Sequence, residues 1–220
     1  MIALERVSKS FADGTVAIAA VSLTLARGEL VALCGESGSG KTTLLKTINR
    51  LIEPDAGSIT IDGRSVLERP AHALRREIGY VFQGTGLFPH MSVAENIAIT
   101  PRLLRWPEEQ IAQRVSATLE SVGLSRELLG RRPAELSGGQ QQRVAVARAV
   151  GGQPSILLAD EPTGNLDSKN GEAVMELLRE LHRGGATICM VTHDPRYARY
   201  ADRSIHLFDG RIVEENVEAA

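Results

Sequence analysis

The segment from Gly35 to Thr42 has the residue types and the spacing of a loop that could bind phosphate. It reads Gly-Glu-Ser-Gly-Ser-Gly-Lys-Thr and fits the pattern G-x-x-x-x-G-K-[ST] at every fixed position. Glycines let the backbone curl so that successive N–H groups converge on phosphate oxygens, and a following helix adds its dipole. Lys41 can reach the terminal phosphates, and the Thr42 hydroxyl can ligate Mg²⁺. The predicted nucleotide-binding residues of this segment are Gly35, Glu36, Ser37, Gly38, Ser39, Gly40, Lys41, Thr42 and Thr43.

A second, acidic element supports nucleotide chemistry. The apolar run Ile156–Ala159 ends in Asp160 and Glu161. An acidic residue at the carboxyl end of a buried strand projects into the ligand crevice of an open α/β sheet. We expect Asp160 to hold Mg²⁺ through water, and Glu161 to polarise an attacking water as a general base. The alternative is that Asp160 and Glu161 are merely solvated charges at the end of a strand. The presence of a phosphate loop in the same chain disfavours that alternative.

The elements that must position these residues are short apolar runs that alternate with helical patterns. Asp62-Gly63 and Asp209-Gly210 predict two hairpins, and a helix is predicted from Lys41 to Arg50. The alternation of strands and helices implies a mainly parallel sheet. The polar segment from Glu214 to Ala220 is predicted to be a loose tail. Strands buried on both faces are predicted at Leu30–Cys34, Ile78–Phe82, Ile156–Ala159 and Thr187–Val191.

Between Ser92 and about Val150 the pattern predicts helices alone. Ser92 and Glu95 have the spacing of a capping box at the start of the first helix. Two more helices are predicted at Glu108–Val122 and Gln140–Val150. The sequence therefore predicts an α/β core that carries a helical insertion.

Charge, hydropathy and cysteine content limit the functional class. The 220 residues include 25 Lys+Arg and 27 Asp+Glu, a formal net charge of −2, which argues against broad electrostatic binding to nucleic acid. No stretch approaches the ~18 uninterrupted apolar residues of a membrane span, and the N-terminus does not resemble a signal peptide. Cys34 and Cys189 lie in apolar runs and are expected to be buried thiols. These observations exclude an integral membrane protein and still allow docking on one.

Leu136-Ser137-Gly138-Gly139-Gln140 stands between the phosphate loop and the acidic pair. With this segment the chain resembles the ATPase subunit of an ABC transporter, over nearly its whole length and with the motifs in the family's order. The resemblance implies an α/β fold: a P-loop NTPase core with a mainly parallel sheet, an antiparallel β subdomain and a helical insertion. Within one domain of residues 1–220, residues 1–91 and 151–220 would form the core and β subdomain. Residues 92–150 would form the helical subdomain.

The resemblance assigns roles to four further residues. Gln83 matches the glutamine that ligates Mg²⁺ and senses the γ-phosphate, and His193 matches the switch histidine that stabilises the transition state. Asp167 matches the D-loop aspartate, although Gly164-Asn165 replaces the commoner Ser-Ala. Phe11 lies where the family places an aromatic residue that stacks on adenine; a core phenylalanine is the alternative. The implied catalytic residues are Glu161, His193 and Gln83, and the implied Mg²⁺ ligands are Thr42, Gln83 and Asp160.

Partners are also implied by the resemblance. Ser137 and Gly139 precede a predicted helix and so form a second anion-binding cap. In the family, two subunits pack head to tail, and each signature segment covers the ATP on its partner's phosphate loop. The residues that would contact the ATP of a second copy are Ser137, Gly138, Gly139, Gln140 and Asp167.

The cofactors implied are ATP and Mg²⁺. The chain would associate with transmembrane permease subunits and, indirectly, with a solute-binding protein, but not with nucleic acid. It would lie peripherally at the cytoplasmic face of the cell membrane.

Three functional classes share these ATPase motifs. An ABC-type DNA-repair ATPase needs a long coiled coil between Gln83 and Ser137, and no heptad run fills that segment. A translation-factor ATPase joins two ATPase domains in one chain, and this chain has one phosphate loop. A transporter ATPase is therefore favoured.

The transported substrate receives two conflicting indications. Thr47–Pro54, Gly86–Met91 and Pro101–Trp106 resemble importers of quaternary amines such as glycine betaine. Asp160–Ser168 instead resembles the lipoprotein-release and macrolide-efflux branch. Import of an osmoprotectant or a similar small polar solute is favoured, with an export-type system as the alternative.

Overall fold

The computed structural model describes residues 1–217 as strands and helices in two compact units. The first unit comprises Met1–Arg75 and the described chain from Leu181 onward, and the second is Arg76–Glu180. The strands are β1 (Ile2–Ser10), β2 (Val16–Leu25), β3 (Leu30–Cys34), β4 (Ala56–Ile61), β5 (Arg64–Ser65), β6 (Ile78–Val81), β7 (Ile156–Asp160), β8 (Thr187–Val191), β9 (Arg203–Phe208) and β10 (Arg211–Val217). The helices are α1 (Lys41–Ile48), α2 (Ala71–Glu77), α3 (Val93–Leu103), α4 (Glu108–Ser121), α5 (Gly138–Val150), α6 (Ser168–Arg183) and α7 (Pro195–Ala198).

In the first unit, an antiparallel sheet has the strand order β2-β1-β4-β5. The core face of β1 carries Ile2, Leu4 and Val7, which are all buried. The pairing of β1 with β2 shifts register after Leu4, where Arg6 has a φ of 50°. This bulge bends the strand. The β4–β5 hairpin turns at Asp62 and Gly63, both with positive φ, as the Asp-Gly pair predicts.

The first unit also contains the parallel strands that lead into the phosphate loop. β3 pairs in parallel with β8 and β9, and every residue of β3 and β8 is buried. The strands predicted at these positions are therefore present, and they are covered on both faces. β10 pairs antiparallel with β9 as far as Val217. The prediction of a loose tail is wrong for residues 214–217, because their backbone pairs with β9, while residues 218–220 lie outside the described chain.

The second unit combines the parallel pair β6–β7 with the helices α3, α4 and α5, which contact one another. α3 begins with the predicted capping box. Ser92 Oγ accepts from the Glu95 backbone N–H, and Glu95 Oε2 accepts from the Ser92 backbone N–H. Hydrogen bonding by the Ser92 N–H holds the pKa of the Glu95 carboxyl below its usual value. Between Ser92 and Val150, helices are the regular elements, as the sequence predicts.

Within residues 1–217, none of the helices combines the length and the apolar character that crossing a membrane requires.

Candidate functional site

The phosphate loop joins β3 to α1 and requires glycine at defined positions. Gly35, Gly38 and Gly40 have φ values of 137°, 83° and 99°, in the region that favours glycine. A Cβ at Gly35 would lie 2.2 Å from the Leu207 carbonyl oxygen, and a Cβ at Gly40 would lie 2.2 Å from that of Ala17. The loop is thus pressed against neighbouring backbone, and any side chain at these two positions would displace it.

Lys41, the first residue of α1, lies inside the loop that it follows. Its ammonium donates to the carbonyl oxygens of Gly35 and Glu36 at 2.9 and 2.7 Å, and to Ser39 Oγ at 3.3 Å. The residue is only 5% exposed. The loop therefore surrounds a buried cation next to the N-terminal end of a helix, two features that both favour an anion.

Phe11 lies at the turn between β1 and β2. Its backbone N–H donates to the Thr15 carbonyl oxygen, and its carbonyl accepts from the Gly14 N–H. The side chain is 42% exposed. A ring this exposed is not a core residue, which was the alternative for Phe11. An exposed ring can stack on a ligand. Its contact with adenine stays a prediction.

His193 follows β8 and borders a cavity of about 550 Å³ that the start of the phosphate loop also lines. Asp194 stabilises the following turn: its N–H donates to Thr192 Oγ1, and its carboxylate accepts from the Arg196 N–H. The Arg196 side chain holds the pKa of the Asp194 carboxyl below its usual value. The structure thus brings His193, the predicted switch histidine, and the start of the predicted phosphate loop to one cavity. Its lining consists of Cys34, Gly35, Glu36, Ser37, His193, Asp194, Pro195, Ala198, Arg199, Ser204, His206 and Asn216.

Asp160 ends β7 as a buried carboxylate that is 2% exposed. Tyr80, on the neighbouring strand β6, donates its hydroxyl to Asp160 Oδ2 at 3.1 Å. A buried carboxylate needs such partners. Tyr80 was not identified from the sequence, because its position within an apolar strand gives no sign of this contact.

Glu161 and Gln83 are in contact. Gln83 Nε2 donates to Glu161 Oε2 at 3.3 Å. Glu161 has a φ of 46°, a left-handed conformation that is uncommon for a residue with a side chain. The Gly164 N–H closes the turn by donating to the Glu161 carbonyl oxygen, and a Cβ at Gly164 would lie 3.2 Å from Glu161 Oε2. The turn therefore fixes the backbone of Glu161, while the Gln83 amide contacts its carboxylate.

The signature segment begins α5, with Ser137 as its N-cap. Ser137 Oγ accepts from the Gln140 N–H, and Gln140 Oε1 accepts from the Ser137 N–H. Gly138 and Gly139 are the first two residues of the helix. The helix therefore begins at Gly138, two residues before the predicted start at Gln140, because Ser137 and Gln140 form the capping box. The expectation that Gly139 precedes the helix is wrong.

Gly139 packs against Asn170 of α6, in the same unit. A Cβ at Gly139 would lie 2.4 Å from Asn170 Oδ1. Asn170 is in turn held by Asp167, whose carboxylate accepts from the Asn170 backbone N–H and from Nδ2. These bonds lower the pKa of the exposed Asp167 carboxyl. Asp167 and Gly139, two residues predicted to contact the ATP of a second copy, are thus connected through the Asn170 side chain, which was not identified from the sequence.

The profile of the ABC transporter family matches residues 18–164. The chain belongs to the ABC transporter family. This match confirms the resemblance that rests on Leu136–Gln140.

Two curated relatives match almost all of this chain. The glycine betaine/carnitine/choline transport ATP-binding protein OpuCA of Bacillus subtilis (strain 168) is 46% identical over 216 residues, 97% of this chain. This chain spans 57% of the length of that relative. The macrolide export ATP-binding/permease protein MacB of Burkholderia pseudomallei (strain 1710b) is 42% identical over 224 residues, which cover 99% of this chain and 34% of MacB.

Solved structures of MJ0796 match along the whole chain. The dimeric structure of this bacterial ABC transporter cassette has a TM-score of 0.91 and 38% identity, and the match covers 100% of both chains. Its dimeric post-hydrolysis state, bound to ADP and Pi, has a TM-score of 0.90 at 36% identity. The sequence-based fold prediction is confirmed.

Proposed function

We propose that this chain is the ATP-hydrolysing subunit of an ABC transporter. The observation that carries the catalytic part is the 3.3 Å contact between Gln83 Nε2 and Glu161 Oε2. An amide that binds one carboxylate oxygen orients the carboxylate, which a general base requires. The strained backbone of Glu161 supports the same role, because such conformations cluster at functional sites.

The side chains available fit the proposed cofactors. The phosphate loop surrounds the Lys41 ammonium, and a cation enclosed by backbone in this way favours a phosphate. The Thr42 hydroxyl and the Asp160 carboxylate supply the hard oxygen ligands that Mg²⁺ prefers, and the Gln83 amide adds a third. Bound Mg²⁺ would neutralise charge on the phosphates during transfer.

The proposed reaction is hydrolysis of ATP to ADP and phosphate. Lys41 and the N–H groups of the phosphate loop bind the phosphates, and the exposed ring of Phe11 stacks on the base. Glu161 accepts a proton from the attacking water at a carboxylate oxygen. His193 donates a hydrogen bond to the γ-phosphate as negative charge develops on it.

The proposed ATP hydrolysis is tested by measuring phosphate release from ATP by the purified chain. Glu161→Gln keeps the hydrogen-bonding shape and removes the base, so kcat should fall by about 10²–10⁴-fold while nucleotide binding persists. Near-normal turnover in this variant would remove Glu161 from the reaction.

A second copy of the chain completes the proposed ATP site. The exposed Ser137 cap and the α5 N-terminus form an anion-binding end that is separate in sequence from the phosphate loop. In the proposed head-to-tail dimer, this end contacts the ATP bound by the other copy. The proposed contacts are Ser137, Gly138, Gly139, Gln140 and Asp167. The dimeric structures of MJ0796 support a dimer for a cassette with the same fold.

The proposed location is the cytoplasmic face of the cell membrane, where the chain binds permease subunits peripherally. Exposed apolar side chains in the second unit, Phe82, Phe88 and Leu103, would meet the permease. They are between 41% and 49% exposed, so a partner that covered them would bury apolar surface, which favours binding.

The proposed substrate is a quaternary amine or a related osmoprotectant, taken up with the help of a solute-binding protein. This proposal follows the 46% identity to OpuCA. It agrees with the resemblance of Gly86–Met91 and Pro101–Trp106, which lie in the segment expected to meet the permease.

Uptake by the reconstituted transporter tests the substrate. The chain and its cognate permease, in proteoliposomes with the binding protein, should accumulate labelled glycine betaine or choline when ATP is present. The matched control contains the Glu161→Gln chain. Active ATP hydrolysis without uptake of either amine would refute the substrate and leave the ATPase in place.

Export of a macrolide or release of a lipoprotein is the second candidate. It is favoured by the segment Asp160–Ser168 and by the 42% identity to MacB. A permease that yields macrolide resistance with this chain, and no amine uptake, would support it.

A further inference from the structure

Arg148 is a buried cation that binds the loop following Gln83. It lies near the end of α5 and is 7% exposed. Its guanidinium donates to the carbonyl oxygens of Gly86 at 2.5 Å and Thr85 at 3.2 Å. The same guanidinium lies 5.7 Å from the centre of the Phe82 ring. One side chain thus contacts the residues on both sides of Gln83.

The charge of Arg148 is compensated by carbonyl oxygens and an aromatic ring. Within residues 1–217, its polar partners are the carbonyl oxygens of Gly86 and Thr85, with no carboxylate among them, and burial lowers the pKa of the guanidinium. Burying a cation without an anion is costly. An apolar side chain would fill this position at lower cost, so stability alone does not explain an arginine here.

The loop between Gln83 and α3 is fixed at both ends. Gly86 has a φ of 54°, and a Cβ there would lie 3.4 Å from the Phe82 ring and 3.6 Å from Arg148 Nη2. At the other end, the fully buried Asn96 donates to the carbonyl oxygens of Phe88, Met91 and Ser92 and accepts from the Phe88 N–H. The loop is therefore held as a rigid connection between Gln83 and the helices.

α5 carries both Arg148 and the signature segment. Ser137 caps the helix eleven residues before Arg148, a distance of about 16 Å at 1.5 Å per residue. A straight helix of this length transmits a displacement at one end to the other. The Arg148 contact therefore connects the loop after Gln83 to the anion-binding end of α5.

We propose that Arg148 is a positioning residue that couples Gln83 to the signature segment. When Gln83 responds to the γ-phosphate, the loop pulls on Arg148, and α5 moves its N-terminus into position for the ATP of the second copy. This inference rests on the proposed ATP-dependent dimer. Arg148 itself touches neither ATP nor the attacking water.

The test measures ATP-dependent dimerisation by light scattering in the Glu161→Gln background, where ATP persists. Arg148→Met should leave the affinity of the monomer for a fluorescent ATP analogue unchanged, because the phosphate loop is untouched. It should raise the protein concentration needed for half-dimerisation by about tenfold or more, since two charge-assisted hydrogen bonds are lost. Arg148→Lys keeps the charge, so its concentration for half-dimerisation should lie between that of Arg148→Met and that of the chain with Arg148 intact.

Arg114→Met is the matched control. Arg114 is also a partly buried arginine of the second unit, and it donates to the carbonyl oxygens of Val150, the last residue of α5, and of Gly151, which follows it. Its loss should reduce stability, measured by urea unfolding, without changing dimerisation. If Arg148→Met does not fold, Gly86→Ala disturbs the same contact from the loop side and should weaken dimerisation in the same direction.

Each outcome decides between the proposals. If Glu161→Gln alone stays monomeric with ATP, the proposed dimer and the role of Arg148 both fail. If it dimerises and Arg148→Met does not weaken the dimer, or Arg114→Met weakens it equally, only the role of Arg148 is refuted.

Discussion

Replacing Gly139 with alanine tests the packing between the signature segment and α6. The new Cβ would lie 2.4 Å from Asn170 Oδ1 and 2.6 Å from Asn170 Cγ. Ordinary contacts between such atoms are about 3.5 Å, so the two helices or the Asn170 side chain must move by roughly 1 Å. The two hydrogen bonds to Asp167 restrain Asn170.

The expected cost follows from two opposing effects. Overpacking of this kind destabilises by about 1–3 kcal/mol, and the better helix propensity of alanine offsets up to about 1 kcal/mol. A net loss of about 1–2 kcal/mol should lower Tm by roughly 2–8 °C in a chain of this size. Gly138→Ala is the matched control, because a Cβ there meets nothing within 4 Å. It should leave stability unchanged or raise it.

A double-mutant cycle isolates the contact. Asn170→Ala removes the two closest atoms and leaves its own Cβ, 3.2 Å from the new methyl group. Urea unfolding of the nucleotide-free chain should therefore show that Gly139→Ala costs about 1–2 kcal/mol less in the Asn170→Ala background. If the two substitutions add within about 0.5 kcal/mol, this packing does not explain the glycine.

Three further measurements check other parts of the structure. Lys41→Ala should weaken binding of a fluorescent ATP analogue, and unchanged affinity would exclude the phosphate loop as the nucleotide site. The pKa of Glu95 is lower in the folded chain, so its stabilising contribution is complete above the ordinary value of 4.5 and is lost as pH falls through the folded value. Unfolding measured from pH 7 down to pH 3 should therefore show a shallower acid decline for Glu95→Gln, and an identical decline would refute the cap. Burial raises the pKa of the Cys189 thiol to about 12, so iodoacetamide at pH 8 should not alkylate it until the chain is denatured. Cys34 borders the cavity and should be alkylated first, as mass spectrometry of the modified chain would show.

Local signals made the phosphate loop and the hairpins predictable. The phosphate loop needs glycine at positions whose backbone conformation other residues rarely adopt, so its pattern is visible in the sequence. Asp62-Gly63 and Asp209-Gly210 identify their turns for the same reason. The positive φ values are a local property of the backbone, and the structure has them at the glycines and Asp-Gly pairs that the sequence indicates.

Features that depend on distant contacts were not predictable. β1 was not identified as a strand, because its bulge after Leu4 breaks the alternation of apolar and polar residues. Arg148 and Asn170 lie in helices where an arginine or asparagine is normally assigned to solvent. Their contacts reach across 62 and 31 residues of sequence, to Gly86 and Gly139 respectively. By contrast, α6 carries an apolar stripe at Val174, Met175 and Leu178 that a closer inspection of periodicity would have found.

At position 161, the left-handed backbone favours glycine for stability, whereas the proposed reaction needs the carboxylate of glutamate. A side chain at this φ costs about 1–2 kcal/mol, and glycine would remove that cost. Laboratory selection for heat resistance alone should therefore enrich glycine at position 161, and the survivors would lack the carboxylate. At this position, selection for thermal stability and selection for catalytic rate favour different residues.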